Sequence, residues 1–118
     1  MDELNMRNYA HLGDAVWELF VREKLVEEYK NPKDLHKQTT ERVKASFQAK
    51  MLEEIEEDLT EIEQDIKRRA RNVEVPIARR HNQGEYRLAT AFEALIGYWY
   101  REDKERLKVV FEKMLSKI

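Results

Sequence analysis

The sequence has 118 residues, enough for one hydrophobic core and too few for two independent domains. Its 22 Lys and Arg stand against 24 Asp and Glu, so the net charge of −2 gives no global argument for a polyanionic partner, and the absence of Cys excludes a disulfide frame or a thiolate metal site. The chain does not begin with a basic stretch leading into an apolar run, and no apolar stretch approaches the ~18 residues that span a bilayer, so we expect a soluble cytoplasmic protein with no membrane association.

Three Gly and two Pro leave little turn chemistry, no stretch alternates cleanly, and helix formers dominate, which predicts an all-α domain spanning residues 1–118. Residues 5–29 form the first helical region, carrying the apolar residues Leu12, Ala15, Val16, Leu19, Phe20 and Val26, the first five at the spacing of a helical stripe. Asn31 and Pro32 suit an N-cap and a first helical position, so a second helix should run from there toward Val43 and restart near Ala45 and Ser46. Leu52, Ile55, Leu59 and Ile62 continue an apolar stripe with acids on the other side. Thr60 with Glu63 has capping-box form and should start a short helix reaching about Ala70. Residues 72–84 lack periodicity and read as a loop. A helix follows from about Tyr86 to Tyr100, and Asp103 caps a last one whose buried face is Leu107, Val110, Phe111 and Leu115.

Two carboxylates interrupt this pattern. Asp14 lies in an apolar helical run directly after Gly13, and a mid-helix Gly often marks a close backbone or ligand approach. Glu93 is the lone acid in a second apolar helix that also carries Gly97. If the two helices pack together, Asp14 and Glu93 offer the hard oxygen donors that Mg²⁺ prefers. The competing reading is that each acid sits on a helix surface or pairs with an Arg. Charge is also segregated along the chain. Glu53 to Asp65 holds eight acids and no base, whereas Lys67 to Arg87 holds seven bases against Glu74 and Glu85. Arg68, Arg69, Arg71, Asn72, Arg79, Arg80 and His81 would suit a phosphate backbone, or form a solvated loop balancing the acidic helix. Glu53, Glu54, Glu56 and Glu57 resemble the paired-Glu helix of all-α nucleotide pyrophosphohydrolases, but their place opposite the apolar stripe favours an exposed face. The three histidines are widely spaced and make no zinc site.

His11-Leu12-Gly13-Asp14-Ala15-Val16 resembles the signature helix of ribonuclease III catalytic domains, and Phe92-Glu93-Ala94-Leu95-Ile96-Gly97 resembles their second metal-binding helix. Asp34-Leu35-His36-Lys37, residues 43–49 with Gln48, and Arg68-Arg69-Ala70-Arg71-Asn72 are similar to the small Mini-III branch, a catalytic domain without an appended double-stranded-RNA-binding domain. The resemblance spans about residues 5–115. It implies an all-α homodimer that cuts double-stranded RNA with Mg²⁺, with Mn²⁺ able to substitute, and that leaves a 5′-phosphate and a short 3′ overhang. The implied substrate is precursor 23S ribosomal RNA, with room for a ribosomal protein's assistance. It implies Asp14 and Glu93 as catalytic and metal-binding residues. Larger relatives carry a second Glu where this chain has Ala10 and an Asp where it has Thr90, so four carboxylates become two. Glu18 and Thr90 are then the candidates for support around the metal. A non-catalytic RNA-binding domain of the same fold is the alternative.

Overall fold

Helix ends are set by side chains that take up the free backbone N–H groups of a first turn. The computed structural model, which describes residues 4–118, has six α-helices. They are α1 (Met6–Val26), α2 (Pro32–Val43), α3 (Ala45–Ile55), α4 (Glu61–Arg71), α5 (Gln83–Glu102) and α6 (Lys104–Met114), and no strand occurs among the described residues. Four of the six begin with such a cap, α3 begins at an extended residue, and α5 follows a 3₁₀ turn without a side-chain cap. Asn5 Oδ1 accepts from Arg7 N at 2.8 Å, and Asn31 Oδ1 accepts from Lys33 N at 2.8 Å ahead of Pro32. The Thr60–Glu63 capping box is complete, with bonds of 3.2 and 2.9 Å. Asp103 Oδ1 caps α6 by accepting from Arg106 N at 3.1 Å. The break between α2 and α3 falls at Lys44, whose ψ of 159° is extended.

Helices of 11 or 12 residues, as four of these are, are marginal alone in water, so packing must hold them. The core is built around α5, which packs against α1, α3, α4 and α6. Buried residues line it on all sides, including Ala91, Phe92, Leu95, Ile96 and Trp99, as expected of a helix enclosed by others. Trp17 is fully buried, sets its ring edge-on to Phe92 at 5.0 Å, and donates from Nε1 to the Arg42 carbonyl at 2.8 Å. Burying side chains of this size contributes ~1.5–3 kcal/mol each.

A second buried anchor joins α4, α5 and α6. The Glu63 carboxylate accepts from Trp99 Nε1 at 2.8 Å and from Arg106 Nε and Nη2 at 2.9 Å each, while Arg106 Nη2 also donates to the Asp58 carbonyl at 2.7 Å. Burial pushes the Glu63 carboxyl up, but the Arg106 guanidinium and the Thr60 and Trp99 N–H groups outweigh it and hold the carboxyl below the usual range.

Several boundaries and faces differ from the sequence expectation. On α1 the buried seam is Met6, Tyr9, Ala10, Gly13, Trp17, Val21 and Leu25, whereas Ala15, Leu19 and Val26 are exposed. Both stripes fit a 3.6-residue period, and the one containing Gly13 is selected because α5 approaches there more closely than side chains permit. Ile62 is exposed and Glu63 buried, the reverse of the hydrophobic pattern, because Glu63 finds Arg106 and Trp99. On α6, Met114 rather than Leu115 completes the buried face. The segment 72–84 contains a 3₁₀ turn, Ile77–Asn82, and α5 starts at Gln83 and extends to Glu102. Among the described residues no helix is long and apolar enough to cross a membrane.

Candidate active site

The crossing of α1 and α5 fixes the site. A Cβ placed on Gly13 would lie 1.7 Å from the Glu93 carbonyl oxygen, and one on Gly97 would lie 1.9 Å from the Tyr9 carbonyl oxygen. Main chain meets main chain at both glycines, and no other residue fits there. Asp14 follows Gly13 directly, and Glu93 owns the carbonyl that Gly13 touches. The crossing therefore brings the two carboxylates together, and their side chains are hydrogen-bonded to each other.

Asp14 is exposed, contrary to the apolar reading of its helix, and Glu93 is half-buried. Burial of Glu93, and then the hydrogen bond and negative charge of Asp14, push the Glu93 carboxyl up to about 9; a hydrogen bond from Gln48 opposes the rise. Near neutral pH Glu93 therefore keeps its proton in the metal-free protein. A protonated acid hydrogen-bonded to a second acid marks a place where a cation can replace the proton. The donors are all oxygen, which suits Mg²⁺ or Mn²⁺ rather than a soft metal. Among the described residues no group of three or more His, Asp or Glu side chains converges, so an ion held by this pair would need waters and substrate oxygens as its other ligands. On this chemistry Asp14 and Glu93 fit a divalent metal.

Both carboxylates line a polar cleft of 300 Å³ together with Arg7, Ala10, His11, Val73, Tyr86 and Thr90. The larger groove between α1 and α2, 430 Å³, is lined mostly by Val26, Pro32 and Leu35 and contains no acid. Arg7 is the cation of the carboxylate cleft. Its Nη2 donates to the Glu74 carbonyl at 3.1 Å, which ties the start of α1 to the basic segment.

That segment lies at the cleft through Val73 and Tyr86. Arg79 stacks its guanidinium 5.6 Å from the Tyr86 ring centre. Arg71, Asn72, Arg80 and His81 are exposed. Arg68 and Arg69 both pair with Asp65, Arg69 at 3.2 Å, on the surface of α4. Surface pairs of this kind are worth about 0–1 kcal/mol and yield readily to a phosphate. Thr90 lines the cleft, whereas Glu18 is not among the lining residues and pairs with Arg22 at 3.0 Å. Glu53, Glu56 and Glu57 line a separate 430 Å³ cleft in which Glu56 pairs with Lys67, no group of three acids converges there to hold a metal among the described residues, and none of the four glutamates from Glu53 to Glu57 lines the cleft of Asp14 and Glu93.

Sequence reasoning did not single out Arg7 or Gln48 as site residues. Arg7 lies one helical turn before Ala10 and two turns before Asp14, a spacing that places it on the same face and that the apolar-stripe argument passed over. Gln48 reaches Glu93 from α3, with its Nε2 donating to Oε2 at 3.3 Å, a contact across 45 residues that carries no local signal.

A family model described as the ribonuclease III domain matches residues 7–104. A Mini-ribonuclease 3 of Gloeobacter violaceus is 44% identical over 107 residues, which cover 91% of this chain and 79% of the relative. Another from Symbiobacterium thermophilum is 43% identical over 106 residues, covering 87% and 82%. The crystal structure of a Fusobacterium nucleatum protein superposes with a TM-score of 0.85 at 32% identity, over 98% of this chain and 94% of that one. The chain belongs to the ribonuclease III family of endoribonucleases, in its Mini-ribonuclease 3 branch.

Proposed function

We propose that residues 1–118 act as a single catalytic domain that hydrolyses double-stranded RNA with Mg²⁺, leaving 5′-phosphates, and that precursor 23S ribosomal RNA in the cytoplasm is its substrate. The observation that carries the reading is the contact of Asp14 with Glu93 in a polar cleft edged by Arg7 and the basic segment. Asp14 and Glu93 would hold the ion, with Mn²⁺ able to replace Mg²⁺. A bound divalent ion supplies an activated water and offsets charge on the scissile phosphate. The chain's own part is positional and electrostatic. The Gly13–Gly97 crossing sets the spacing of the acids, and Arg7 stands in the cleft to meet a phosphate oxygen. Arg71, Asn72, Arg79, Arg80 and His81 would hold the flanking backbone, with Arg68 and Arg69 recruited from their pairs with Asp65. No side-chain nucleophile is needed. An A-form helix is recognised mostly by shape and backbone, so sequence preference should be limited.

A homodimer belongs to the same reading, since two-fold symmetry would set one site against each strand. Exposed apolar side chains support it, with Leu19 and Val26 on α1 both 58% exposed and Tyr100 on α5 40% exposed. Binding by one small domain should be weak and salt-sensitive, which leaves a use for a ribosomal protein that presents the RNA.

The test is cleavage of long double-stranded RNA with Mg²⁺, with EDTA as the control. Asp14→Asn should abolish cutting and retain RNA binding. Full activity in that variant, or cleavage that persists in EDTA, refutes the assignment. Binding without cleavage by the wild-type protein would favour the non-catalytic alternative.

A further inference from the structure

Gln48 is a polar residue on a helix face that is otherwise apolar. It comes from α3, whose other buried residues are Met51, Leu52 and Ile55. It is 2% exposed, and its amide nitrogen donates to Oε2 of Glu93. A buried amide is costly unless its hydrogen bonds are used, and a Leu would fill much the same space without that cost. We propose that Gln48 is the positioning residue that orients the Glu93 carboxylate for a divalent cation, engaging one oxygen and leaving the group directed at Asp14 and the cleft. This inference rests on the reading of Asp14 and Glu93 as a metal pair.

The chemistry of the position narrows the choice of residue. The partner of a carboxylate must be a donor, which excludes Asp and Glu in their charged forms. It must also be uncharged, because a Lys or Arg would neutralise Glu93 and compete with the incoming ion. It must reach from α3 to α5, which favours Gln over the shorter Asn. The constraint matters more here than in a four-acid site. With Ala10 and Thr90 lining the cleft, no further carboxylate is present to make up for a Glu93 that turns away. A hydrogen bond anchored on a separate helix fixes the carboxylate without adding charge.

The experiment is calorimetric titration of Mg²⁺ into the RNA-free protein, alongside thermal melting and cleavage over a range of Mg²⁺ concentrations. Gln48→Leu should bind Mg²⁺ roughly 10–100-fold more weakly, the usual loss when the hydrogen-bond partner of a metal ligand is removed. Its melting temperature should stay close to that of the wild type, and its cleavage should recover as Mg²⁺ is raised. Gln48→Lys should melt normally yet lose Mg²⁺ binding, since its ammonium takes the place of the ion. A folded Gln48→Leu protein with wild-type Mg²⁺ affinity overturns the inference; if Leu does not fold, Gln48→Met is held to the same criterion. Wild-type binding that Asp14→Asn abolishes and the Gln48 variants leave intact overturns the role of Gln48 alone. A wild-type protein that binds no Mg²⁺ overturns the metal pair and this inference with it.

Discussion

Replacing Gly13 by Ala tests whether backbone contact sets the spacing of Asp14 and Glu93 in the proposed active site. In a helix Ala is more favourable than Gly by ~1 kcal/mol, so propensity alone predicts a more stable protein. The added Cβ would instead meet the Glu93 carbonyl oxygen at 1.7 Å, where ordinary contact begins at 3.4 Å. The atom it meets is backbone, so no rotamer change relieves the clash, and α1 and α5 must separate by more than an ångström. Overpacking of a core costs ~1–3 kcal/mol even where side chains can adjust, so we expect a loss of about 3 kcal/mol or more despite the propensity gain. The separation also moves Asp14 from Glu93, and a displacement near 1 Å costs on the order of 10²-fold in rate. Urea denaturation followed by circular dichroism reads the first effect, and cleavage of double-stranded RNA by the folded fraction reads the second. Gly84→Ala is the control, because nothing lies within 4 Å of its Cβ position; it should be neutral or slightly stabilising. A Gly13→Ala protein as stable as the wild type refutes the close-crossing argument.

Three further outcomes follow from the charges. The unfolded chain ionises Glu93 near the ordinary value of 4.5, whereas the folded protein keeps the proton until about 9. Without metal the folded state therefore binds more protons across that window, and stability should fall as pH rises through it; Glu93→Gln should flatten the slope, Mg²⁺ should offset it, and melts without slope in the wild type would refute the burial argument. The Glu63 carboxyl is held below 4.5 in the folded state, so its contribution is present above that pH and lost as pH falls through the folded value. Glu63→Gln should cost ~2–4 kcal/mol near neutral pH, with the gap to wild type closing in acid; a gap that stays constant on acidification would show that charge is not what matters. Arg79→Ala with Arg80→Ala should weaken RNA binding and reduce its salt slope by about one unit for each phosphate left without its cation, measured by filter binding at several salt concentrations, and an unchanged slope would remove this segment from the interface.

Features written locally were legible in the sequence. The caps at Asn31, Thr60 and Asp103 and the restart after Val43 lie within a residue or so of their structural positions, because each depends on neighbours no more than four residues away. The approach of Asp14 to Glu93 was legible as well, since Gly13 and Gly97 announce a close crossing beside each acid. The buried face of α1 was not. Its two stripes are equally periodic, and the choice between them depends on a helix that begins 70 residues after Gly13. Ile62 was misplaced on the core stripe for a related reason: it is exposed and Glu63 is buried in its stead, and the partners that bury Glu63, Trp99 and Arg106, are distant in sequence. Gln48 stood out only through the resemblance to the Mini-III branch, and its place beside Glu93, like that of Arg7 in the cleft, depends on the tertiary fold.

The Glu63 carboxylate closes the first turn of α4, holds an indole of α5 and binds a guanidinium of α6 at the same time. Ends of helices ordinarily fray, and their amides exchange with solvent through small local openings. Here the start of α4 cannot open without stripping partners from two other helices. The amides of Thr60 and Glu63 should therefore exchange through the same large opening that exposes Trp99, so that an end of a short surface helix becomes part of the slowest-exchanging unit of the protein.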